Sequence, residues 1–157
     1  MMRFHEYINE SVEEHVLPGV ILIYNNKILL VRPKKFKNKM KKWSIPKGHV
    51  EDKVGKISTA LKELEEESRI KLKKKHLKKS PKVILEYIKS GDRKKMTCYI
   101  VKIEKDDMNV RLFNDMILGN FLKGETVEAG FFTKEDAKNL IERTQLDLLK
   151  FLDFTYE

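Results

Sequence analysis

An α/β domain with a mixed β-sheet covered by helices is the fold class this sequence predicts, and three observations predict it. Short runs rich in Val, Ile and Leu come in pairs joined by turn residues. Helical periods fall between and after those pairs. The length of 157 residues, with 41% hydrophobic content, suffices for one compact core. One domain over residues 1–157, with one active site, is the expectation.

The elements follow in order. Phe4, Tyr7, Ile8 and Val12 recur at helical spacing and suggest a short amphipathic helix over 4–14. Val16 to Tyr24 and Lys27 to Arg32 read as two buried strands, joined by Asn25-Asn26, a dipeptide that accepts positive φ. Arg32 to Lys42 has no acid and no hydrophobic period and reads as an exposed loop. Beyond Trp43-Ser44-Ile45-Pro46-Lys47-Gly48-His49 and a polar turn, a helix begins near Gly55 and sets Ile57, Ala60, Leu61 and Leu64 on one face. A basic stretch, Lys71 to Lys79, precedes a second hairpin, Val83 to Ile88 and Met96 to Ile103, turned by Ser90-Gly91-Asp92. Met108 to Lys123 reads as a long connection with a short helix at most. Glu128 to Phe132 is a last strand; Thr133 and Asp136 announce a helix after it, and Thr144 and Asp147 repeat that signal for a C-terminal helix over 144–153.

Bulk properties narrow the function. Cys98 is the lone cysteine, which excludes an intramolecular disulfide and the usual cysteine zinc sites. The longest apolar stretch, Val16 to Tyr24, is broken by Pro18-Gly19 and is too short to cross a bilayer, and the first residues lack a signal-peptide core. A cytoplasmic protein without a membrane partner is expected. The net charge of +9 suits polyanions, RNA among them, although lysines outnumber arginines and an AT-rich genome would also encode such a composition.

The chemistry concentrates in Lys62-Glu63-Leu64-Glu65-Glu66-Glu67. Glu63, Glu66 and Glu67 stand at i, i+3 and i+4 and share one helical face, where like charges repel by a few tenths of a kcal/mol unless a cation intervenes. A bound dication would reverse the sign, and Mg2+, a hard ion that takes carboxylate oxygens and keeps waters, is the natural candidate, with Mn2+ as a substitute. The bland reading is a solvated acidic face in a chain that is 36% charged.

Gly48 to Ile70 resembles the Nudix box, G-x5-E-x7-R-E-U-x-E-E-x-G-U with U a bulky aliphatic residue. Gly48 opens it, Glu63 and Leu64 follow at the expected spacing, Glu66 and Glu67 form the glutamate pair, and Ile70 closes it. Three positions depart: Val54 stands for the first glutamate, Lys62 for the arginine and Arg69 for the late glycine. The Trp43 to His49 entry is most similar to diadenosine polyphosphate hydrolases, and the likeness extends over about residues 16 to 142. The resemblance implies an α/β/α sandwich and a pyrophosphohydrolase in which Glu63, Glu66, Glu67 and the Lys47 carbonyl hold the metal. A carboxylate activates water: Glu63, or Glu128 ahead of Glu125. Arg32, Lys47, Gly48, His49 and Lys62 are the expected substrate contacts, each with a plain surface or structural role as the alternative.

The expected substrate is a dinucleoside polyphosphate or related nucleotide. An RNA 5′ end, ADP-ribose and an inositol pyrophosphate stay open, because specificity lies in loops outside the box. Two other classes stand beside the enzyme: a weakly active Nudix domain serving as nucleotide sensor or RNA-binding module, and an interaction protein whose acidic helix is only a surface.

Overall fold

The computed structural model describes residues 15–33, 42–50, 54–103, 117–118 and 126–153. The expected helix over 4–14, the loop through residues 34–41, Glu125 and most of the connection at 108–123 lie outside the described residues.

Six strands form one sheet: β1 (His15–Tyr24), β2 (Lys27–Pro33), β3 (Lys82–Lys89), β4 (Asp92–Ile103), β5 (Ile117–Leu118) and β6 (Thr126–Phe132). Their spatial order is β3-β4-β1-β2-β6-β5. β1 and β4 run parallel over their shared register from His15↔Lys94 to Tyr24↔Ile103, and the other neighbours are antiparallel. Both hairpins turn as their sequences require. Asn25 and Asn26 take φ of 57° and 60°, the positive values of a two-residue primed turn, and Ser90 and Gly91 take 54° and 82°. The second turn therefore has two residues, and Asp92, expected within it, already pairs with Lys89 in the sheet.

The strand period of two feeds two cores, one on each face. Val20, Leu22 and Tyr24 of β1 pack with Ala60 and Leu64 of helix α1 (Lys56–Ser68) and Leu77 of helix α2 (Lys74–Lys78). Leu17, Ile21 and Ile23 face the other way, onto Ala137 of helix α3 (Lys134–Leu140) and Leu148, Leu149 and Leu152 of the C-terminal helix. This is the α/β/α sandwich with a mixed sheet.

Three elements differ from expectation. Ile117–Leu118, within the connection expected to hold a short helix at most, pairs with β6 as the edge strand β5. The lysine run at 71–79 contains α2, anchored by Leu77, its one buried residue; a single apolar side chain sets no period that a sequence reading can detect. The C-terminal segment is a 3₁₀ helix, Arg143–Asp153, in place of the helix expected over 144–153. At 1% exposure Gln145 is as buried as the leucines, and its amide bonds to the chain at Ser44 and Ile45. That tie gives a physical reason for a tightened winding at the start of the segment.

Candidate active site

Strands β1 and β2 pair at Ile23↔Ile28 and Tyr24↔Lys27, next to their turn. Farther along, residues 43–50 lie between them. Val31 and Ser44 exchange N–H···O bonds of 2.8 and 2.9 Å on the β2 side. On the β1 side, Val20 donates to the Pro46 carbonyl at 3.1 Å, Gly48 to Pro18 at 3.3 Å and Val50 to Val16 at 3.4 Å. A Cβ at Gly19 would come within 2.8 Å of the Pro46 carbonyl oxygen, so only glycine lets the inserted segment approach β1 this closely.

The same segment meets the glutamate face of α1. The Lys47 N–H donates to Glu67 Oε1 at 3.2 Å, and a Cβ at Gly48 would collide with the Glu63 carboxyl group. Glu63 and Glu67 are thus brought to one backbone stretch, Lys47-Gly48. That contact falls on the second half of α1. Glu66 is half-buried on the adjoining surface and Lys62 is exposed. Helix α1 begins after Gly55, which supplies no side-chain cap, and ends at Arg69 in the left-handed conformation, φ 68°, with its N–H on the Glu65 carbonyl at 2.7 Å. An arginine therefore adopts the conformation that a glycine would take at about 1 kcal/mol lower cost. Ser68 helps to close that end: its hydroxyl donates to the Leu64 carbonyl at 2.7 Å and accepts the Ile70 N–H at 3.2 Å.

Lys47 also faces a second feature. A cleft of about 290 Å3 opens between the inserted segment and the β3–β4 hairpin, lined by Leu17, Lys47, His49, Tyr87, Lys89, Asp92 and Lys94 among others. Three ammonium groups and a half-buried phenol in one concavity suit an elongated anion. Burial, followed by Glu142 and Cys98, raises the Tyr87 pKa, so its hydroxyl stays protonated and able to donate. In the core nearby, burial pushes the Cys98 thiol up to about 12, with the Lys47 ammonium pulling it down by less. Lys89 lies 3.3 Å from Glu142, which tethers the hairpin to the chain beyond α3. The sequence reading missed Lys89, Asp92 and Lys94. The signal was present, since a two-residue turn at Ser90-Gly91 fixes Tyr87 opposite Lys94, and period two puts Lys89 beside Tyr87 on the same face.

Arg32 and Glu128 face each other across the β2–β6 ladder and form an ion pair, both mostly buried. The Arg32 guanidinium also stacks over Trp43 at 5.0 Å, and Trp43 meets Phe132 edge-to-face with ring centroids 5.0 Å apart. Arg32, expected at phosphate, and Glu128, expected as a base, are thus joined to each other. Trp43 is a buried anchor of the inserted segment.

Among the described residues no three His, Cys, Asp or Glu side chains converge on a point that could hold a metal ion. The donor set nevertheless fits a hard dication. Glu63, Glu66 and Glu67 share a face, and Mg2+-type sites complete their shell with waters and substrate phosphates in preference to an all-protein cage.

Comparison with known proteins shows the family to which the chain belongs. The family model described as NUDIX domain matches residues 14–153. Among curated protein sequences none matches the chain. Similar solved structures include a C. elegans Ap4A hydrolase binary complex, at 18% identity and TM-score 0.62, covering 87% of this chain and 93% of that one. A MutT NUDIX hydrolase from Burkholderia pseudomallei has 17% identity and TM-score 0.63, with 88% and 97% covered. A bifunctional NMN adenylyltransferase/ADP ribose pyrophosphatase from Francisella tularensis, complexed with AMP and Mn ion, has 14% identity and TM-score 0.61, with 97% and 45% covered. A glutamate helix packed against a glycine-containing strand insertion, on a sandwich that the family model spans almost end to end, marks this chain as a member of the NUDIX family of pyrophosphohydrolases.

Proposed function

We propose that the protein hydrolyses a phosphoanhydride bond in a dinucleoside polyphosphate or closely related nucleotide, with Mg2+ held by Glu63, Glu66 and Glu67 and by the Lys47 carbonyl. The observation that carries this reading is the double role of Lys47: its N–H reaches Glu67, while its side chain lines the cleft that also holds Lys89 and Lys94. A polyphosphate in that cleft meets lysine ammonium groups, and Lys47, whose backbone N–H reaches Glu67, links the cleft to the glutamate face. When bound, the metal supplies charge neutralisation at the phosphate oxygens and an activated water.

The chain's own residues do the rest. Lys47, Lys89 and Lys94 orient the anion as point charges, His49 stands at the rim, and Tyr87 donates from the wall. Gly48 leaves room for the Glu63 carboxylate, which we assign as the base that takes the water's proton. Glu128, engaged by Arg32, we assign to clamping β2 against β6 beneath Trp43. The Ap4A hydrolase among the similar structures supports the substrate class through its fold, and the cleft supports it through charge. Residues 1–157 are taken to act as one domain.

The test is a Mg2+-dependent hydrolysis screen of wild type and Glu67→Gln against diadenosine polyphosphates, ADP-ribose, nucleoside triphosphates and 5′-triphosphorylated RNA. The expected result is turnover of the diadenosine substrates, lost in the variant. Turnover of RNA ends alone would overturn the substrate assignment. Tight, salt-sensitive binding without turnover of any substrate would replace the enzyme reading with a sensor.

A further inference from the structure

Backbone bonds stitch Trp43, Ser44, Pro46, Gly48 and Val50 to neighbouring chain segments. Ile45 is held differently. It is wholly buried, and its N–H donates to a side chain, Gln145 Oε1, at 3.0 Å. The Gln145 amide is in turn fixed at every end. Its Nε2 donates to Ser44 Oγ at 3.0 Å, and the Gln145 backbone N–H donates to the Glu142 carbonyl at 2.9 Å. Glu142 closes the circuit by donating to the Trp43 carbonyl at 3.0 Å. On its other side, the Ile45 side chain lies against Gly19 of β1. Ile45 is therefore held between β1 and one amide from the far end of the chain.

Two residues on, the Lys47 N–H meets Glu67, and Gly48 fits against Glu63. A buried N–H that loses its acceptor costs about 1–3 kcal/mol, enough for the segment to shift in search of another partner. Any shift along the segment reaches Lys47 and Gly48, which contact Glu67 and Glu63.

We propose that Gln145 is a positioning residue for hydrolysis, setting the register of residues 45–48 against Glu63 and Glu67. The proposal rests on the reading of those glutamates as metal ligands. It predicts that the C-terminal 3₁₀ helix, remote in sequence from the box, governs how well the box binds metal.

The experiment compares Gln145→Met, which keeps the length but removes both polar atoms, with Ser44→Ala, which removes the Nε2 partner and the 2.7 Å bond from Ser44 Oγ to the Ile45 carbonyl but leaves the Ile45 N–H its acceptor. Turnover is measured on folded protein, and Mn2+ binding without substrate is followed by electron paramagnetic resonance. Gln145→Met should lower kcat and weaken Mn2+ binding about tenfold, a typical effect of removing a group that orients metal ligands, with little change in KM. Ser44→Ala, which leaves the Ile45 N–H its acceptor, should lose less kcat and less Mn2+ affinity than Gln145→Met. A Gln145→Met protein that melts at lower temperature but binds Mn2+ and turns over like wild type would overturn the proposal. Should that variant fail to fold, Gln145→Asn, which keeps the amide but withdraws it by one methylene, is read by the same two criteria. Glu67→Gln measured alongside separates the two ideas. Undiminished Mn2+ binding there would sink the metal-ligand reading itself, whereas a loss there with an unaffected Gln145→Met sinks only the positioning role.

Discussion

Helices α1 and α3 lie on opposite faces of the same sheet and follow opposite rules. Helix α3 is locally well specified. Thr133 caps it by accepting the Asp136 N–H at 3.2 Å, Glu135 and Asp136 stand in its first turn, and Lys138 stands in its last. Each of these features matches the orphan amides and the dipole of a helix end. Helix α1 has none of them: no side-chain cap at Gly55, no acid in the first turn, no base in the last, and a left-handed arginine at its end. It gathers like charges on one face besides. Buried Thr59, Ala60, Leu64 and Ser68 hold it, together with the contacts of Glu63 and Glu67 to the inserted segment. The helix proposed to carry chemistry is thus specified by tertiary contacts, and the helix that only packs is specified locally. Local consistency tends to be relaxed where function needs an awkward residue.

Four substitutions would break or sharpen that contrast. Leu64→Ala should have the largest effect, about 3 kcal/mol in a urea titration, because Leu64 is fully buried in the core beneath the sheet. A loss below about 1 kcal/mol would mean that α1 does not depend on its packing. Glu67→Gln should leave the urea midpoint close to wild type while lowering kcat on the order of 100-fold; an equal loss of stability and activity would make the glutamate face structural. Thr133→Ala should destabilise the fold by about 1 kcal/mol without altering kcat, as a lost N-cap does. Arg69→Gly should have the smallest effect and the opposite sign, a gain of at most about 1 kcal/mol by relief of the left-handed conformation. If Arg69→Gly instead destabilises the protein, the arginine side chain makes contacts that outweigh its backbone strain.

What the sequence disclosed follows the same division. The hairpin turns at Asn25-Asn26 and Ser90-Gly91, the apolar stripe of α1 and the Thr133 cap are properties of a few neighbouring residues, and they were legible. The spacing of Glu63, Glu66 and Glu67 was legible for the same reason. The insertion of residues 43–50 between β1 and β2 was not, since it depends on Pro18, Val20 and Val31 at once. The Arg32–Glu128 pair arises from the β2–β6 register, and the cleft needs a hairpin and a loop brought side by side. Gln145 reads in sequence as a polar position within an apparent helix start; its partners at Ser44 and Ile45 lie 101 and 100 residues away.

The parallel pairing of β1 with β4 carries a kinetic consequence. Each hairpin closes over a two-residue turn and can form early and alone. The ten-residue parallel ladder between them cannot, because the inserted segment, α1, α2 and β3 all intervene along the chain. Closing so long a loop before any of its bonds form makes the meeting of the two hairpins the slow event of folding. Substitutions in the Asn25-Asn26 turn, already formed when the hairpins meet, should therefore chiefly retard refolding, while those across the β1–β4 seam should divide between slower refolding and faster unfolding.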